Sequence, residues 1–226
     1  MDSVCVFCGS RDGTDPAYVA AAKATGTAIA RRGWRLVYGG GHVGLMGALA
    51  DAALAEGGEV IGIMPRALLT REIAHPGLTR LHLVTSMHRR KALMSSMSDG
   101  FLTLPGGYGT LEEFFETLTW AQLGLHTKPC ALLDVIGFWD PLLAMVDNQI
   151  AGGFVPAEHR RVILTGSDPD DLLDRMAAYV PPGSIEPVPG LPADGPPVHR
   201  DLELEPSLDG NGSARKVGAR DDAPRT

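Results

Sequence analysis

The chain has 226 residues, which fits one ordinary domain, or one domain with a tail, and leaves little room for two separate domains. Its formal net charge of −7 argues against a surface that coats nucleic acid, so an anionic ligand must be held by local groups. Neither a signal-peptide pattern nor a membrane-spanning apolar stretch is visible, so we expect a cytoplasmic protein that binds neither nucleic acid nor a membrane.

Short β-type runs alternate with helical stretches up to about residue 178. This alternation predicts a single Rossmann-like α/β domain over residues 1–180, with a parallel sheet and helices on both faces. The predicted strands cover residues 4–8, 36–38, 59–63, 81–84, 101–104 and 130–133. The predicted helices cover residues 16–32, 43–56, 87–98, the stretch after a glycine turn at 105–109, 141–151 and 169–179, with a short helix or loop at 66–75. Residues 181–226 are rich in proline and predict a disordered, solvated tail.

The first predicted strand contains Cys5 and Cys8, and a Cys-x-x-Cys spacing inside a strand predicts buried thiols rather than a redox pair. Three cysteines give no disulfide framework. The seven histidines show no metal-ligand spacing, so we expect no metal.

Small residues follow the first two predicted strands, and the carboxyl ends of parallel strands are where such sheets bind ligands. Gly9 and Ser10 follow the first strand, and Gly40 and Gly41 belong to a Gly-x-Gly-x-x-Gly match after the second. A dinucleotide site also needs an acidic residue at the end of the next strand, where residues 63–66 read Ile-Met-Pro-Arg. A mononucleotide therefore fits the site at these strand ends better than NAD does.

Arg90 lies in the apolar stripe of the predicted helix 87–98, between Met87 and Met94. A guanidinium that faces inward must reach a carboxylate or an anionic ligand. Two arrangements satisfy this requirement: a buried pair with a structural Asp or Glu, or a position next to Glu113.

The strongest functional signal is the strand, glycine turn and helix over residues 102–113. Glycines allow backbone N–H groups to approach a ligand, and the start of a helix favours phosphate. Glu113, which we place in the first turn of the helix, would then act on an electron-poor carbon beside the phosphate. The alternative is that residues 110–113 form a Ser/Thr-x-x-Glu capping box, in which Glu113 only caps the helix. In the first case, the predicted phosphate ligands are Gly106, Gly107, Gly109 and Thr110.

Four motifs in order resemble the LONELY GUY (LOG) family of cytokinin riboside 5′-monophosphate phosphoribohydrolases, many of which were labelled possible lysine decarboxylases. They are Cys-Gly-Ser at 8–10, the glycine turn at 39–47, Met-His-x-Arg-Lys at 87–91 and Pro-Gly-Gly-x-Gly-Thr-x-x-Glu at 105–113. The resemblance covers residues 3 to 180.

The resemblance implies hydrolysis of the N-glycosidic bond of N6-substituted adenosine 5′-monophosphates, without a cofactor, to the free base and ribose 5-phosphate. Plain AMP stays open as a substrate. The family's essential arginine and glutamate fall on Arg90 and Glu113, and the motif adds Met87 and Lys91 to the substrate-binding set. It also implies a homodimer, in which Trp120 is a candidate contact.

Two other functions stay open. One is a non-catalytic carrier of a nucleotide or of molybdenum cofactor. The other is a lysine decarboxylase, but Lys91 and the lysines at 23, 128 and 216 lack a recognisable pyridoxal phosphate setting.

Overall fold

The computed structural model describes residues 1–69, 73–183 and 185. Within these residues the chain forms a seven-stranded, wholly parallel sheet with the order β4-β3-β2-β1-β5-β6-β7. The strands are β1 (Ser3–Phe7), β2 (Arg35–Tyr38), β3 (Val60–Pro65), β4 (Arg80–Val84), β5 (Phe101–Thr103), β6 (Cys130–Leu133) and β7 (Ile163–Gly166). The predicted Rossmann-like α/β fold is confirmed.

Six α-helices are described, of which the first five connect strands and the last follows β7: α1 (Pro16–Arg31), α2 (Gly44–Ala55), α3 (Met87–Ser96), α4 (Tyr108–Gln122), α5 (Asp140–Ala151) and α6 (Pro169–Ala177). Short 3₁₀ turns cover Arg66–Leu68 and Ala157–Val162. Helix α1 starts where Asp15 accepts a hydrogen bond from the Ala17 N–H, and α3 starts where Ser86 accepts from the Arg89 N–H. Capping of this kind satisfies donors that the first helical turn leaves unpaired.

Helices cover both faces of the sheet, as the alternation predicts. On β1, Val4 and Val6 point into a core shared with α1, α2 and α6, whereas Cys5 and Phe7 point into a second core shared with α3 and α4. This two-residue period is that of a strand buried on both faces.

The strand order reverses beside β1, because β2 to β4 extend from one side of it and β5 to β7 from the other. The loops after β1 and β5 therefore flank a crevice, and they are joined by a hydrogen bond from the Gly9 N–H to the Pro105 carbonyl at 3.0 Å. Open α/β sheets bind ligands at such a reversal point.

Strand β7 is absent from the sequence-based assignment, which passes from the helix at 141–151 directly to the helix at 169–179. Ile163 pairs with Cys130 at the start of this four-residue edge strand. The run of strand-forming residues is too short to predict a strand by itself, and pairing with β6 stabilises the extended conformation.

The predicted tail at 181–226 lies outside the described residues except for 181–183 and 185, so its disorder stays a prediction. Among the helices that are described, none combines the length and apolar character needed to cross a membrane. The predicted burial of the Cys5 and Cys8 thiols is confirmed, and Cys130 is buried and free as well.

Candidate functional site

Arg90 is buried beneath the carboxyl ends of β2 and β3, with 4% of its surface exposed. Its Nε donates a hydrogen bond to the Ile63 carbonyl and its Nη2 donates to the Gly39 carbonyl, both at 3.0 Å. Its Nη1 lies 3.9 Å from Met87 Sδ. Main-chain carbonyls therefore hold two of the three guanidinium nitrogens in place. The carboxylate or anionic ligand that the sequence predicts as the partner of Arg90 stays a prediction.

Glu113 is half-buried on α4, in the second turn of the helix rather than the first. The helix begins at Tyr108, with Gly107 as the N-cap residue and no side-chain cap. A capping box would require Thr110 at the N-cap, so both the box and the first-turn position of the carboxylate are wrong. Gly107 is extended, and the residues after it are already helical, which moves the start of the helix three residues towards the N-terminus.

Arg90 and Glu113 line one cavity of about 250 Å³, which we call the arginine cavity. Their charges act on the same buried thiol: burial and Glu113 raise the pKa of Cys5, and Arg90 opposes them. Six other predicted site residues also line this cavity: Gly9, Ser10, Met87, Gly107, Gly109 and Thr110. Its remaining lining residues are Cys8, Met46, Tyr108 and Glu112.

A second cavity of about 500 Å³, which we call the aromatic cavity, opens beside the first. Tyr18 and Phe138 line it in an edge-to-face contact, with ring centroids 5.8 Å apart. The two cavities share Gly9, Ser10, Gly107 and Tyr108. The loops after β1 and β5 thus separate a charged cavity from an apolar one.

The glycines at the start of α4 differ in what surrounds them. A Cβ on Gly106 would lie 2.1 Å from Thr110 Oγ1 and 2.9 Å from the Gly9 nitrogen, so this position must be glycine for the two loops to pack. A Cβ on Gly107 or Gly109 would meet nothing within 4 Å. The space in front of the first N–H groups of α4 is therefore open to an anion.

Three predicted binding residues line neither cavity. Gly40 accepts a hydrogen bond from the His75 N–H at 3.0 Å, and Gly41 pairs with Ala74 in an isolated β-bridge. The second glycine turn, which contains Gly40 and Gly41, therefore packs against the segment before β4. The third residue is Lys91, whose amino group forms ion pairs with Glu112 and Glu116.

The fold brings His42, Asp51 and His75 together from three segments, which the spacing of the histidines does not reveal. His75 Nδ1 accepts a hydrogen bond from the Gly77 N–H at 3.1 Å, so Nε2 carries the proton and donates to Asp51 at 3.0 Å. With its proton in place, Nε2 has no lone pair for a metal. These contacts explain His75 as a hydrogen-bonded link between the segment before β4 and α2.

Sequence reasoning misses the two residues that hold Arg90 and one residue that lines both cavities. Gly39 and Ile63 hold Arg90 through main-chain oxygens, which leave no side-chain signature. Tyr108 stands 94% exposed where the two cavities meet. Its place inside the glycine motif is the one signal that could have found it.

Known proteins similar to this chain agree on one family. The family model described as "Possible lysine decarboxylase" matches residues 46–176. The chain is 49% identical over 179 residues to the "probable cytokinin riboside 5′-monophosphate phosphoribohydrolase LOGL5" of Oryza sativa subsp. japonica, covering 79% of this chain and 73% of that one. It is 52% identical over 164 residues to a "cytokinin riboside 5′-monophosphate phosphoribohydrolase" of Rhodococcoides fascians, covering 72% and 83%.

Among solved structures, the Moco carrier protein of Chlamydomonas reinhardtii has a TM-score of 0.60 at 19% identity, covering 79% of this chain and 98% of that one. At that identity the similarity concerns the fold alone. The two enzyme relatives are far closer in sequence, and the resemblance carried by the four motifs is confirmed. The chain belongs to the LONELY GUY (LOG) family.

Proposed function

We propose that this protein hydrolyses the N-glycosidic bond of N6-substituted adenosine 5′-monophosphates, the cytokinin nucleotides, to free base and ribose 5-phosphate. The observation that carries the proposal is one cavity lined by Arg90, Glu113 and the open start of α4. The names of the two relatives supply the substrate class.

The 5′-phosphate binds at the start of α4, where Gly107 and Gly109 leave room and the helix presents unpaired N–H groups. Ser10 and Gly9 border the same space from the loop after β1. Binding energy from this non-reacting group then fixes the sugar in front of Glu113.

Glu113 acts at the anomeric carbon. Cleavage of the bond between C1′ and the base nitrogen leaves the electron pair on the base and positive charge on C1′ and the ring oxygen, which a carboxylate stabilises. Water forms the new bond to C1′, and Glu113 accepts the proton that this water loses. The departing base takes up a proton from solvent and Glu113 returns its proton to solvent, so the net change is the addition of one water molecule across the bond.

Arg90 orients the site from a fixed position. Two of its nitrogens are fixed by the Ile63 and Gly39 carbonyls, so the guanidinium has little freedom beside the reacting groups. Its positive charge favours the ionised form of a neighbouring carboxylate.

A pyridoxal phosphate decarboxylase does not fit the described lysines. Such an enzyme needs a lysine whose pKa is depressed. Burial lowers the pKa of Lys91, but hydrogen bonds to Glu112 and Glu116 outweigh it, and the pKa is raised. Lys23 is exposed, and the Lys128 amino group donates to the Ser95 carbonyl at 2.9 Å.

The proposal includes a cytoplasmic homodimer and a catalytic unit that ends near residue 180. Trp120 is half-buried on α4, and Leu123, just past the end of this helix, is 57% exposed, which supports a protein contact there. Sedimentation of the full chain, of Trp120→Ala and of a chain truncated after Val180 tests the dimer, and the activity of the truncated chain tests where the catalytic unit ends. A dimeric truncated chain with full activity is the expected result.

The deciding experiment incubates the purified protein with AMP, N6-isopentenyl-AMP and the matching ribosides, and follows base release by chromatography. Release from the monophosphates alone is expected. Equal release from unphosphorylated ribosides contradicts the phosphate cradle, and tight binding without release favours the carrier function.

A further inference from the structure

The amino group of Lys91 connects the two helices that carry Arg90 and Glu113. Lys91 follows Arg90 on α3, is 9% exposed, and pairs with Glu116 Oε1 of α4 at 2.9 Å and with Glu112. Glu112 directly precedes Glu113. A single cross-link therefore sits one residue from each proposed catalytic group.

The same contacts place the positive charge of Lys91 beside carboxylates at the arginine cavity. Helix α4 carries three carboxylates within five residues, Glu112, Glu113 and Glu116, and the first two line the cavity. A phosphate that enters at the start of this helix meets their negative field. Like charges a few ångströms apart near a protein surface repel each other, so carboxylates without a cation beside them would weaken phosphate binding.

Lys91 is well suited to supply the compensating charge. Burial lowers the pKa of its amino group, but the hydrogen bonds to Glu112 and Glu116 outweigh burial and raise the pKa above its ordinary value, so the group is cationic at neutral pH. It is nearly buried and does not line either cavity. A lysine that touched phosphate directly would need its amino group in the cavity.

We propose that Lys91 is a positioning residue that joins α3 to α4 and offsets part of the negative charge of Glu112 and Glu116, rather than a ligand of the phosphate. This inference deepens the proposed function and rests on it for the identity of the anion. It replaces the substrate contact that the family resemblance implies for this residue.

The test compares two variants of the full chain, K91M and the triple variant K91M/E112Q/E116Q, with N6-isopentenyl-AMP as substrate. K91M leaves two uncompensated carboxylates, so its KM rises by about tenfold or more at low salt, and the increase shrinks as salt screens the repulsion. The triple variant removes those carboxylates, and its KM returns to within about threefold of the wild-type value. A triple variant as impaired as K91M overturns the proposal, because it means that the amino group itself binds the phosphate.

Denaturant unfolding of the same proteins provides a readout that does not depend on activity. K91M unfolds at a lower denaturant concentration than the wild type, and the triple variant recovers much of that loss. Equal midpoints for K91M and wild type contradict the cross-link. A wild type that releases no base defeats the proposed function instead, while the unfolding comparison still decides whether Lys91 joins the helices.

Discussion

The Nη2 atom of Arg90 lies 3.0 Å from the carbonyl oxygen of Gly39, and a Cβ on Gly39 would lie 2.2 Å from the same nitrogen. Gly39 therefore supplies both the acceptor and the empty space that the guanidinium occupies. The glycine turn after β2 thus serves the site by holding an arginine from α3.

Gly39→Ala is expected to displace the Arg90 guanidinium while the fold is retained. Because misplacing a catalytic group by about 1 Å can cost about a hundredfold, kcat should fall by about tenfold to a hundredfold with a smaller change in KM. Gly183→Ala is the matched control, since a Cβ there meets nothing within 4 Å. Normal kcat in purified Gly39→Ala would mean that the carbonyl clamp is dispensable.

Glu113→Gln and Arg90→Ala should each lower turnover of a 5′-monophosphate by at least about a hundredfold, the usual range for loss of a positioned acid–base group. The circular dichroism spectrum should remain that of the wild type. Glu158→Gln changes an exposed carboxylate in the 3₁₀ turn Ala157–Val162 and should leave turnover unchanged. Near-normal activity in either site variant removes the mechanism.

The fold is readable from the sequence because each buried strand carries its own apolar run. Residues 130–133 are assigned exactly, and most other elements are assigned to within two residues. Sequence-based prediction misses strand β7 because Ile163 is its only buried residue, and pairing with β6 at the edge of the sheet decides its conformation.

The site is only partly readable for a related reason. Glycine turns and the charged residues Arg90 and Glu113 are visible as types, and the structure places them around one cavity. Their partners are not visible, since carbonyl oxygens of Gly39 and Ile63 can come from any residue. The pairing of Lys91 with Glu112 and Glu116 depends on the packing of α3 against α4, which no local pattern specifies.

Two neighbouring glycines of the cradle should respond differently to alanine. Gly106→Ala forces a Cβ to within 2.1 Å of Thr110 Oγ1, and overpacking of this kind costs about 1–3 kcal/mol of stability. Gly107→Ala places its methyl group in open space that the phosphate needs, so it should keep its stability and raise KM. Thermal unfolding and steady-state kinetics of both variants check this. Equal loss of stability in the two variants contradicts the packing assigned to Gly106.

The three thiols should be inert in the folded protein. Burial raises the pKa of Cys130 to about 12. Burial and Glu113 also raise the pKa values of Cys5 and Cys8. Thiolate is the reactive form, so a disulfide reagent at pH 8 should label no thiol of the native protein within minutes and all three after unfolding. Rapid labelling of Cys8, which lines the arginine cavity, would mean that its pKa is not raised in the folded protein.

His126 should make stability fall in acid. Burial and the charge of Lys128 lower its pKa to about 4, and the ring is neutral because Nε2 donates to the Thr117 carbonyl while Nδ1 accepts the Lys128 N–H. The unfolded chain, with an ordinary histidine pKa of about 6.5, binds the proton more readily between these values. The stabilisation is therefore complete above about pH 6.5 and decreases by roughly 3 kcal/mol as pH falls to about 4.

Urea unfolding of the wild type and of His126→Gln at pH 7 and pH 4.5 measures this contribution. The variant should be less stable at pH 7, because it loses the buried ring, but its stability should change less between the two pH values. The other histidines titrate in both proteins, so the difference between the two pH dependences belongs to His126. Identical pH dependences would mean that His126 accepts its proton as readily in the folded protein as in the unfolded chain.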